Sequence, residues 1–109
     1  MNKQFYSHLV DITIIQIKLN DLELAPHEYN ELMTLVYTII HHGVIDDILS
    51  ELSEDDKKIF LKNLERDHHD SILTHLHDVV VNIEEKIKKT SSVILEELQR
   101  DLNEIKNSV

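Results

Sequence analysis

A single glycine, Gly43, and a single proline, Pro26, occur in 109 residues. A many-stranded sheet needs turn residues at each reversal, and a phosphate-cradling loop needs several glycines. Their scarcity argues against both and favours helices joined by short connections. Leucine and isoleucine supply 29 residues and valine another 8, which is enough apolar material for a core. There is no cysteine, so disulfides, thiolate metal sites and cysteine nucleophiles are excluded. A chain of this length is expected to form one helical domain, residues 1–109.

Apolar spacing places the helices. Pro26 suits a first helical turn, where its missing N–H is not needed. Tyr29, Leu32, Met33, Val36, Ile39 and Ile40 follow at helical spacing and predict a helix over about 26–42. Near Gly43 the phase changes, and Ile45, Ile48, Leu49 and Leu52 fall on a different stripe. Either the helix bends there, or it continues and shows its second half to other partners. Ser53 is a good N-cap, with Glu54, Asp55 and Asp56 facing the positive end of the next helix dipole. Ile59, Phe60, Leu61 and Leu64 give that helix its apolar side, and it should end near Arg66. Asp67 or Asp70 can cap a following helix carrying Ile72, Leu73, Leu76, Val79 and Val80. Asn82-Ile83-Glu84-Glu85 has the form of a capping box. It would open a last helix with the stripe Ile83, Ile87, Ile94, Leu98, Leu102 and Ile105.

Residues 9–19 are ambiguous. Phe5, Leu9 and Ile12 suit a helix, whereas the alternation through Val10, Ile12 and Ile14 and the β-branched content suit a strand. The expected fold is therefore all-α, a compact bundle of four to five helices, with residues 9–19 a short strand or a buried helix. Leu32, Val36, Ile40, Leu64, Leu76, Ile83, Ile87 and Leu98 are expected inside it.

One pattern runs through about residues 19–105. It comprises Leu19-Asn20-Asp21-Leu22, a long helix ending in Ile48-Leu49-Ser50-Glu51-Leu52-Ser53, then Phe60-Leu61, Leu64-Glu65, Asp67 and Asn82-Ile83-Glu84-Glu85-Lys86-Ile87. In this it resembles a small all-helical family of unknown function found mainly in candidate-phyla bacteria. The resemblance implies a helical residue 5–17 segment and carries over no catalytic residues.

Eleven Lys and Arg stand against 21 Asp and Glu, a formal charge of −10. The basic residues form no run longer than a pair, so nucleic acid and anionic membrane surfaces are not expected partners. A basic protein that the acids neutralise is one alternative partner. Protonating all eight histidines would bring the charge to −2, which makes charge-dependent behaviour pH-sensitive. No stretch of 18 uninterrupted apolar residues occurs, and the start has no signal-peptide pattern, so no membrane insertion and a cytoplasmic location are expected.

The densest polar cluster is Glu65-Arg66-Asp67-His68-His69-Asp70. Glu65 and His68 form a Glu-x-x-His pair that, on one helix, could ligate a divalent transition metal, as in ferritin-like half-bundles. Glu31 and His69 are candidate helpers. The competing reading is a solvated boundary turn, and on that reading no cofactor is bound. No catalytic residues are assigned: a serine hydrolase elbow needs a Gly-rich strand–turn–helix, which is lacking. The leading expectation is a small acidic interaction or assembly module, not an enzyme, that pairs with itself as a homodimer. A metal-binding half-bundle and an acidic inhibitor or antitoxin-like protein are the alternatives.

Overall fold

The computed structural model describes residues 4–107, with side chains described through Glu104. The described chain is all-α. A short 3-10 turn, Ser7–Leu9, precedes α1 (Thr13–Asp21), α2 (Pro26–Glu51), α3 (Glu54–Glu65), α4 (His69–Val79) and α5 (Ile83–Asn107). α2 and α5 are the two long helices and pack along one another, α1 lies chiefly on α5, and α3 pairs with α4. The molecule is elongated, 49 × 23 × 20 Å.

The 9–19 segment resolves in favour of the helix, though a shorter and less buried one than expected. It contains no strand, and its helix starts only at Thr13, where Asp11 accepts a hydrogen bond from the Thr13 N–H at 3.0 Å. The helix is not buried all round either. Ile15 and Leu19 are 1 % exposed, whereas Ile14 and Ile17 are each 53 % exposed. Tertiary packing of one face has overridden the β-branched preference.

The caps follow local chemistry. At α2 the Ala25 N–H donates to the Glu28 carboxylate (3.0 Å), with Pro26 in the first turn. At α3 the Ser53 hydroxyl oxygen accepts from the Asp56 N–H (3.2 Å), as the sequence predicts. α4 departs from expectation. Its N-cap is His68, not Asp67 or Asp70, and no side chain caps it. Asp67 instead takes a left-handed φ of 58° and reverses the chain, a conformation that Asn and Asp tolerate. Asn82 does the same before α5, with φ 56°.

Helix α2 continues without a break through Gly43. Met33, Val36, Ile40, Val44 and Ile48 form its buried stripe, and Leu52 just beyond it is buried as well. The second apolar stripe is therefore covered within the subunit, with Ile45 and Leu49 half-buried. Of the expected core, Val36, Ile40, Leu76, Ile83 and Ile87 are buried, whereas Leu32, Leu64 and Leu98 are half-buried at its margin. Ile105 lies outside the described side chains. α2 is also the one helix among the described residues long and apolar enough to cross a membrane by length and composition. Counting uninterrupted apolar residues misses this because His41, His42, Asp46 and Asp47 interrupt the run.

α5 packs close against α2 at Gly43. A Cβ there would overlap the Cδ1 of Ile94. Nearby, Ser91 is buried at 2 % exposure, and the Thr90 hydroxyl donates to Asp47 across the same pair of helices (2.7 Å). Gly43→Ala sets a mid-helix gain of about 1 kcal/mol against displacement of the Ile94 terminal methyl. The two should nearly cancel. In an Ile94→Val background, which lacks that methyl, Gly43→Ala should stabilise by about 1 kcal/mol in urea unfolding. Equal effects of the substitution in both backgrounds would show that the contact does not decide it.

Candidate functional site

The polar segment at the α3–α4 corner does not form a chelating face. Glu65 is the last residue of α3 and His68 the cap of α4, so the Glu-x-x-His pair is split by the chain reversal at Asp67. Glu65 and His68 are exposed, and His69 pairs with the Asp67 carboxylate at 2.7 Å. Glu31 is exposed on α2. Among the described residues, no group of three His, Asp or Glu side chains is placed to hold an ion.

A second cluster joins α3 to α4. His75 Nε2 donates to Asp56 Oδ1 at 3.0 Å, and the Ser53 hydroxyl donates to Asp56 Oδ2 at 3.0 Å. These two hydrogen bonds, with the His75 one first, hold the Asp56 carboxyl below its usual range. Ser, His and Asp are thus together, but the carboxylate lies between the other two. A nucleophilic triad needs the imidazole against the hydroxyl, so His75 cannot take a proton from Ser53 here. The cluster is a helix cap tied to the neighbouring helix. His75 Nδ1 is buried without a partner. The depression beside it, about 420 Å³, is formed by Asp70, Ser71, Thr74, His75 and Asp78 along one face of α4.

The third polar feature was not visible in the sequence. Phe5 and Tyr6, just before the first turn, are 3 % and 4 % exposed. Phe5 meets Phe60 edge-on at 6.0 Å between ring centroids. Tyr6 stacks on His41 at 5.9 Å, and its hydroxyl shares a hydrogen bond with His41 Nδ1 at 2.8 Å. Burial pushes the Tyr6 hydroxyl up to about 12 and keeps the His41 imidazole below its ordinary value, with His42 adding repulsion. His41 thus sits half-buried, and its neighbour His42 is exposed.

The sign of the resulting pH dependence follows. Because His41 is harder to protonate when folded, the unfolded chain takes up the proton first as pH falls. Stability is full above about pH 6.5 and declines below it. The Asp56 contribution is lost only below its ordinary value of 3.8, so the two windows do not overlap. His41→Gln keeps an acceptor for Tyr6 but does not titrate. Its urea midpoint should fall less than that of the wild type between pH 7.5 and 5.5. An equal fall in both proteins would discount His41.

What the polar clusters lack in concavity, the outer surface offers in apolar area. Leu35 and Ile39 on α2 are 53 % and 37 % exposed, and only 28 % of the helix's most apolar 18-residue window is buried. Ile14 and Ile17 on α1 and Val93 on α5 also face outward. No family model matches the chain, and neither do any of the curated proteins or solved structures compared with it.

Proposed function

We propose that the protein is a small helical assembly module that works by pairing with a second copy of itself. The observation that carries this reading is the outward apolar face of α2, the longest helix, which its own subunit leaves uncovered at Leu35 and Ile39. Two-fold pairing is the commonest way for a soluble chain to cover such a face.

Charge opposes the pairing, since each copy carries −10. The contribution of exposed charges is screened beyond about 8 Å at physiological salt, so apolar burial should prevail there. Sedimentation equilibrium at tens of micromolar protein, pH 7.5, tests the reading. A species of twice the chain mass that tightens with added salt is expected. A single 12.8 kDa species at both low and moderate salt would overturn it and favour a monomeric acidic partner of a basic protein.

A further inference from the structure

We infer that the dimer forms through an antiparallel α2–α2 seam centred on Leu35, with Leu32 of each copy opposite Ile39 of the other. This deepens the assembly reading by naming its surface and register. Along α2, Glu28, Leu32, Leu35, Ile39, His42 and Asp46 are spaced four and three residues apart in alternation. That is the 3.5-residue repeat by which two helices keep one seam in contact. It is a different stripe from the buried one, Met33, Val36, Ile40, Val44 and Ile48, which packs inside the subunit. Leu32, Leu35 and Ile39 fall within about 60° of arc on a regular helix. Leu32 is half-buried and the other two are exposed.

The order of side chains along this seam selects the orientation. Acids stand at its first half, Glu28 and Glu31, and the basic side chain His42 stands beyond the apolar centre. All three are exposed. In a parallel pair each acid would meet its own copy, and like charges would face one another. In the antiparallel pair, the midpoint between Leu32 and Ile39 brings Glu28 level with residues 42–43 of the second copy. Each copy then sets carboxylates beside the other's imidazole, twice over by symmetry. Asp46 falls level with residue 25 of the second copy, where Glu28 already caps the Ala25 N–H, so the favourable charge pairing in this register is the one at His42.

Another exposed apolar pair, Ile14 and Ile17, lies on the nine-residue α1 and lacks such a repeat. It serves as the control. Sedimentation equilibrium of the full chain at pH 7.0 should show that Leu35→Glu raises the dimer dissociation constant at least about 100-fold. Ile17→Asp should leave it within about twofold, since it lies outside the seam. His42→Lys should tighten the dimer and His42→Glu loosen it, each by about fivefold. Circular dichroism of each variant checks that the helices persist. A wild-type monomer would overturn both this inference and the assembly reading. A wild-type dimer that Ile17→Asp dissociates and Leu35→Glu does not would leave the assembly reading standing and overturn the seam. Dissociation by Leu35→Glu with His42→Glu tightening the dimer would overturn the antiparallel register.

Discussion

Replacing Phe60 with alanine is expected to destabilise the protein by about 3–5 kcal/mol, the range for removing a buried aromatic ring. Phe60 has no exposed surface, and it is the one buried residue of α3. It is thus the main anchor of that helix to the core. Its edge-on partner Phe5 would lose the contact as well, which adds about 0.5–1.5 kcal/mol beyond area burial in comparable pairs. Small domains are stable by only about 5–15 kcal/mol, so much of the total would go. The adjacent Ile59 is 46 % exposed, and Ile59→Ala should cost well under half as much. Urea unfolding of both variants reads the difference directly. Comparable losses for the two would mean that the buried face of α3 has been misassigned.

Tyr6→Ala should have the second-largest effect, about 3 kcal/mol or more. Here two contributions are separable. The ring is stacked on His41 and packed edge-on against Phe5 at 5.1 Å, and its hydroxyl supplies the hydrogen bond to His41 Nδ1. Tyr6→Phe keeps the ring and removes only the hydroxyl, at a cost of about 1 kcal/mol plus whatever the unpartnered Nδ1 adds. The alanine variant should therefore be several times worse than the phenylalanine one. If both fell equally, the hydrogen bond and not the packing would hold the N-terminal segment. Proteolysis near the start of the chain gives an independent reading, since a released segment should be cut faster in Tyr6→Ala than in Tyr6→Phe.

The helices after residue 25 were legible because their apolar spacing and the Ser53 cap are local signals, read within one or two turns. The start of the chain was not. Phe5 and Tyr6 find partners at Phe60 and His41, dozens of residues away, and no local pattern points there. Ile14 and Ile17 made the segment look buried on all sides, yet only the Ile15–Leu19 face is covered. Glu65 and His68 show the opposite failure. Their spacing is right for one helix face, but the reversal at Asp67 needed only one residue in a left-handed conformation, which composition alone does not reveal. The outward face of α2 was half-visible. Ile39 counted towards the helical spacing of α2 but was assigned no side, and only the packing of the folded chain shows that it faces outward.

The order of helices in the chain bears on how it folds. α2 and α5 make the long packed pair, yet the whole α3–α4 hairpin lies between them in sequence. Lys86 at the start of α5 reaches back to Glu51 at the end of α2, at 3.0 Å, across 34 intervening residues. Bringing those ends together from an open chain carries the entropy of closing a long loop, which grows slowly with its length. The hairpin, with its His75–Asp56 contact only 19 residues apart, can form first and shorten that loop. Folding speed should then depend on α3–α4, and the lifetime of the folded state on the α2–α5 contact that closes last. On this order α2, whose outer face carries Leu35 and Ile39, should gain its packing against α5 only after the hairpin has formed.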